Sequence, residues 1–110
     1  MSTHDIGELA LHILIALGSG PGHGYAIGKE LEQRSNGRLN PTTGALYQAL
    51  KRLNAEGLIR SADAPADETD ARRKYFELTA AGRKAVAREA RRLEELLAVA
   101  RERRLYPFKA

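Results

Sequence analysis

At 110 residues the chain can enclose one hydrophobic core and not two, and its 43% hydrophobic and 29% charged residues exclude a disordered or low-complexity protein. It has no cysteine, which rules out a disulfide scaffold, a thiolate zinc site, an iron–sulfur cluster and a cysteine nucleophile together, and an intracellular, cytoplasmic address is expected. Eighteen Lys and Arg against fourteen Asp and Glu leave a formal charge of +4, a balance that leans towards polyanionic partners.

Ile6, Leu9, Ala10, Ile13, Leu14 and Leu17 recur at helical spacing and predict a first helix over residues 5–18. Leu11 and Ile15 lie off that stripe, so the helix has apolar surface to spare for a second partner. The apolar run 9–17 is broken by His12 and stopped at Gly18, far short of the roughly 20 residues that span a bilayer. With Asp5 and Glu8 ahead of it, it does not resemble a secretory signal, and no membrane association is expected. The cluster Gly18, Ser19, Gly20, Pro21, Gly22 makes a turn. A second helix then starts near Gly24, packs Tyr25, Ala26, Ile27 and Leu31 on one side, and is stopped by Asn36 and Gly37.

Thr42 is the N-cap expected for a third helix over residues 43–56, whose core side is Leu46, Ala49, Leu50 and Leu53 and whose stop is Gly57. Residues 58–62 and 74–79 alternate as two short strands of a hairpin. The acidic connection 63–73, with Pro65, Asp63, Asp67, Glu68 and Asp70, is too long for a tight turn, and mobility is expected of it. From the capping residue Thr79 a last helix runs to about residue 104, and Val86, Ala90, Leu93, Leu97 and Ala100 mark a coiled-coil seam along it. Pro107 ends any helix and leaves a short apolar tail of Leu105, Tyr106 and Phe108.

Three helices and then a hairpin is the element order of a winged helix-turn-helix: a mostly α fold with a small β-hairpin and an added C-terminal helix. The expected division is a DNA-binding part over residues 1–79 and a dimerisation helix with tail over 80–110, together one compact unit. The outer face of the third helix offers a groove what it needs. Thr42, Thr43 and Lys51 suit phosphates or base edges, Tyr47 a sugar or thymine methyl, and Gly44 close backbone approach. A solvated face would carry Lys51 and Arg52 equally well, and Tyr47 also fits a core edge. Arg72, Arg73 and Lys74 stand where a wing would meet a DNA backbone, or act as charged guards of the Tyr75, Phe76 strand. The acids before them either swing clear of phosphates or pair with those arginines in the free protein.

His4, His12 and His23 have no ligand spacing, and no serine elbow or P-loop is present, so no metal, cofactor or enzymatic activity is expected. The seam of the last helix either folds back on its own domain or pairs between copies. The spare apolar surface at Leu11 and Ile15 favours a homodimer, which would also engage two DNA half-sites at once.

Three segments carry a resemblance as a set. They are His23-Gly24-Tyr25-Ala26-Ile27; Pro41-Thr42-Thr43-Gly44-Ala45-Leu46-Tyr47-Gln48-Ala49-Leu50-Lys51-Arg52-Leu53 with Glu56-Gly57-Leu58-Ile59; and Arg73-Lys74-Tyr75-Phe76-Glu77-Leu78-Thr79 with Gly82. Nearly the whole chain resembles the PadR family of bacterial transcriptional regulators, in its small subgroup with one C-terminal helix. The resemblance implies a homodimeric winged-helix repressor on a pseudo-palindromic operator, with Thr43, Gly44, Tyr47 and Lys51 as recognition-helix contacts and Arg73 and Lys74 as wing contacts. It also implies a possible small-molecule inducer, for which a site between the first and last helices is the expectation. The chain has Ala45 where the family usually has threonine and Gln48 where it usually has proline, and Gln48 is equipped to read an adenine edge. The acidic wing tip is a further departure. It favours the competing reading, a winged-helix module that binds protein and has lost sequence-specific DNA binding.

Overall fold

The computed structural model describes residues 6–106, and the readings for His4, for the helix start at residue 5 and for the tail from Pro107 lie outside them. Helix α1, Glu8–Ala16, tightens into a 3-10 turn at Leu17–Ser19 and leads to a two-residue strand β1, Gly22–His23. Helix α2, Gly24–Arg34, helix α3, Thr43–Ala55, strands β2, Ile59–Ala62, and β3, Tyr75–Leu78, and helix α4, Ala80–Glu102, complete the order.

The helix ends follow from local chemistry. Thr42 Oγ1 accepts the Ala45 N–H at 3.0 Å and Thr79 Oγ1 accepts the Gly82 N–H at 3.0 Å, so the expected caps open α3 and α4. At the end of α3, Gly57 at φ 77° lets the Leu58 N–H reach the Leu53 carbonyl and its own N–H reach that of Asn54. Asn36, at φ 55°, closes α2 in the same way, with the Gly37 N–H on the Glu32 carbonyl.

Ile13, Leu14 and Leu17 of the first segment meet Ile27 and Leu31 of α2, Leu46, Leu50 and Leu53 of α3, and Ile59 and Phe76 of the sheet in one buried cluster. The first half of α4 closes this core through Gly82 and Ala85, with Val86 partly buried against it.

The expected hairpin of β2 and β3 forms, with Ile59 opposite Leu78 and Ala62 opposite Tyr75, and β1 adds a third antiparallel strand in the order β1-β3-β2, pairing His23 with Tyr75 and Gly22 with Phe76. The expected packing of α2 changes. Tyr25 is not packed but 63% exposed, and Ala26 is exposed as well. The buried stripe of α2 is Gly24, Ile27 and Leu31, with Gly28 half-buried, and Tyr25 stands about 100° around the helix from its start.

Candidate nucleic-acid interface

Gly44, Tyr47, Gln48 and Lys51 follow one another at steps of three, one and three along α3 and therefore share a face, and all are exposed. Thr42 and Thr43 extend that face at the helix start. The Thr42 oxygen is engaged as the cap, yet its hydroxyl proton is still available to donate. Beyond its chain neighbours and its own helix backbone, no atom of the described residues lies within 4 Å of the place where a side chain on Gly44 would begin, so their packing does not require glycine there. Lys51 forms no ion pair with any described residue, whereas Arg52 pairs with Glu56 at 3.4 Å.

Tyr47 has both characters that the sequence left open. It is 48% exposed, and its phenol lies across the start of α2 where a Cβ on Gly24 would stand 2.5 Å from Oη. The bare Gly24 backbone thus seats a side chain of the neighbouring helix. Beside it, His23 caps α2 by accepting the Ala26 N–H through Nδ1 at 3.3 Å, and its ring meets Tyr75 edge-on at 5.1 Å. The sequence marks Gly24 only as the start of the helix and weighs His23 only as a metal ligand, so neither the seat nor the cap is read from it. Histidine is an uncommon cap, and the demand for glycine at 24 comes from a residue 23 positions away.

The wing is organised by its acids. Glu68, with a side chain 8% exposed, accepts the Tyr75 hydroxyl, the Asp70 N–H at 2.9 Å and an Arg73 N–H at 3.4 Å. The Tyr75 hydrogen bond is the main cause that holds the Glu68 carboxyl down from its ordinary 4.5 to about 2, and the same bond raises the Tyr75 phenol. Asp70 accepts from Arg72 at three points: the backbone N–H at 3.0 Å, Nε at 3.2 Å and Nη2 at 3.3 Å. Across the strands Arg60 pairs with Glu77 at 2.7 Å. Of the three expected wing cations, Arg72 and Arg73 are therefore paired with acids of their own loop, and Lys74 is exposed with no ion pair among the described residues. Of the two arrangements open to these acids, the structure has the second, pairing with Arg72 and Arg73 in the free protein.

A carboxyl depressed from 4.5 to about 2 adds stability that is fully present above pH 4.5 and drains away as the pH falls through about 2. Glu68→Gln is accordingly expected to be less stable than the wild type at neutral pH, with the gap closing below about pH 2. Urea melts from pH 7 down to pH 2 check this, and a gap independent of pH would contradict it.

The residues expected at a dimer seam divide. Val86 packs on the chain's own core, Ala90 and Leu93 are exposed, and Leu97 and Ala100 are partly covered. On α1, Leu11 is half-buried and Ile15 is 45% exposed. Leu96 and Val99, outside the expected seam, are 61% and 42% exposed. Among the described residues no helix is long and apolar enough to cross a membrane.

A model of the transcriptional regulator PadR-like family matches residues 13–88, from within α1 through the sheet and into α4. Transcriptional regulator Rv3488 of Mycobacterium tuberculosis is 38% identical over 86 residues, covering 78% of this chain and 76% of that protein. An uncharacterized 37.1 kDa protein in transposon TN4556 of Streptomyces fradiae is 45% identical over 96 residues; these are 87% of this chain, which spans only 25% of that relative. A PadR family transcription regulator from Clostridium difficile R20291 shares the fold with a TM-score of 0.73 at 26% identity, covering 87% of this chain and 97% of that one. A transcriptional regulator from Clostridium thermocellum has the same fold at a TM-score of 0.73 and 24% identity, over 93% and 97% of the two chains. The match spans the capped third helix, the three-stranded wing and the start of α4, and with it this chain belongs to the PadR-like family of transcriptional regulators, DNA-binding proteins rather than enzymes.

Proposed function

We propose that the chain is a homodimeric repressor that reads a pseudo-palindromic operator with α3 and steadies itself on the DNA backbone with the wing. The observation that carries this reading is the outer face of α3, where Thr43, Gly44, Tyr47, Gln48 and Lys51 are all exposed. A helix that lays such a face in a major groove places Gln48 and Thr43 at base edges, Lys51 and Thr42 at phosphates, and the bare Gly44 backbone against the groove wall. Lys74, Arg72 and Arg73 would follow the backbone beside it.

Pairing of two copies through α4 and α1 is supported by the exposed apolar residues Ile15, Leu93, Leu96 and Val99. Covering them with a second copy would hold two α3 helices about 34 Å apart, one turn of DNA. An inducer lodged between α1 and α4 would change that separation and release the operator.

Fluorescence anisotropy on DNA from upstream of its own gene and on scrambled DNA, at two salt concentrations, tests the reading. Preference for the native DNA is expected, with log affinity falling linearly with log salt. Lys51→Ala is expected to weaken binding about tenfold and to lower the salt slope by about 1. Gly44→Ala is expected to weaken binding while leaving the fold at least as stable, since the added methyl meets no packed neighbour among the described residues and alanine favours the helix. The pairing of Arg72 and Arg73 with acids favours the protein-binding module instead. Feeble binding to both DNAs that ignores these substitutions would select it.

A further inference from the structure

In the wing, the guanidinium fork of Arg72 is filled by the carboxylate of Asp70. The Arg72 guanidinium is 91% exposed, yet two of its nitrogens, Nε and Nη2, face the two oxygens of Asp70 at 3.2 and 3.3 Å. A phosphate would take the same side of the same fork in the same two-point manner. We propose that Asp70 is a built-in competitor for the DNA phosphate: in the free protein it holds Arg72, and Arg72 reaches the DNA backbone only by exchanging carboxylate for phosphate.

The exchange is local because the rest of the loop is anchored separately. Glu68 is fastened to the Tyr75 hydroxyl and to the Asp70 N–H, and the Arg73 N–H bonds to the Asp70 carbonyl at 3.1 Å. Turning the Arg72 side chain outward breaks neither. Asp70 also accepts the Arg72 backbone N–H, so the carboxylate stays in place after its guanidinium leaves and remains ready to take it back. The consequence is a threshold. Weak, non-specific contact leaves the fork closed, and an operator that brings a phosphate to the right spot opens it, so Asp70 sharpens discrimination at the expense of affinity.

This inference rests on the DNA-binding reading above, and its test separates the two. Asp70→Asn keeps an oxygen for the Arg72 N–H and removes the charge. It is expected to bind operator more tightly by up to a factor of about five, to steepen the salt slope by up to about 1, and to gain still more on scrambled DNA. In an Arg72→Gln background the same substitution is expected to keep only the small gain, on either DNA, that removing any one charge of the loop gives. Asp67→Asn, which removes a charge of the same loop that makes no ion pair among the described residues, serves as the control for general electrostatics, and its small gain is expected in both backgrounds.

Equal gains from Asp70→Asn with and without Arg72 would reduce Asp70 to a long-range charge, and no gain with Arg72 present would leave it a loop-shaping residue only. Either overturns the proposal. Lys51→Ala on the same DNA reports on the recognition reading. If it weakens binding while the Asp70 cycle is flat, only the wing inference falls. If the wild type shows no preference and Lys51→Ala no effect, both fall.

Discussion

Gly82→Ala is expected to destabilise the protein by about 2–3 kcal/mol, although helix propensity alone would have it stabilise by nearly 1 kcal/mol. The position is in the first turn of α4, where the chain turns from β3 into the helix. A Cβ there would overlap the carbonyl oxygen of Leu58 and stand 2.7 Å from Leu78 Cδ1. The leucine can rotate aside, but the carbonyl cannot. It accepts the Thr79 N–H at 3.1 Å, while the Thr79 hydroxyl donates to the Gly57 carbonyl at 2.7 Å. The start of α4 is thus bolted to the entry of β2 by two hydrogen bonds, and a methyl at 82 forces them apart or lifts the helix. Lifting it would expose Ala85 and loosen Val86 from the core. A thermal melt followed by circular dichroism should show a midpoint lowered by about 10 °C or more. A midpoint at or above that of the wild type would mean that α4 slides freely on the sheet.

What could be read from the sequence was whatever is enciphered in near neighbours. Thr42 and Thr79 announce α3 and α4 because a cap needs only the next three residues, and Leu46, Ala49, Leu50 and Leu53 announce the buried side of α3 by their spacing. The outer face of α3 followed, since what one stripe buries the other presents. Strand β1 was out of reach: two residues carry no period, and Gly22 and His23 become a strand only because Phe76 and Tyr75 arrive beside them. The acids of the wing were visible as charges, but the choice between solvent and arginine is made by Tyr75, seven residues from Glu68, which locks that carboxylate in place.

The dimer seam shows a different limit. Buried positions Gly82, Ala85 and Glu89 and exposed positions Leu93 and Leu96 form one continuous stripe along α4, so a single periodicity serves the chain's own core first and an outer surface afterwards. Periodicity cannot mark where the first use ends. Glu89 lies at the changeover. It is buried in spite of its charge and bonded to Arg92, which also holds its carboxyl below the ordinary range.

Gly24→Ala is expected to lower operator affinity about tenfold without touching α3, and with little change in stability. The reason is the seat that Gly24 provides for Tyr47. An alanine Cβ would stand 2.5 Å from the tyrosine Oη, 2.7 Å from Cζ and 3.1 Å from Cε1. The ring is half exposed and flexible at its far end, so it is the ring that yields and not the backbone of α2. Folding then loses one ring contact and gains the lower chain entropy of alanine, two small effects of opposite sign. Recognition loses more, because the phenol leaves the place from which it would reach a sugar or a thymine methyl in the groove. The prediction is therefore one of coupling: Tyr47→Ala and Gly24→Ala should each weaken binding, and the double variant should be no worse than Tyr47→Ala alone. Anisotropy titrations of the four proteins on one operator duplex measure the coupling directly. If Gly24→Ala costs as much without Tyr47 as with it, the glycine is there for the DNA itself, and the start of α2 would have to lie against the backbone of the duplex.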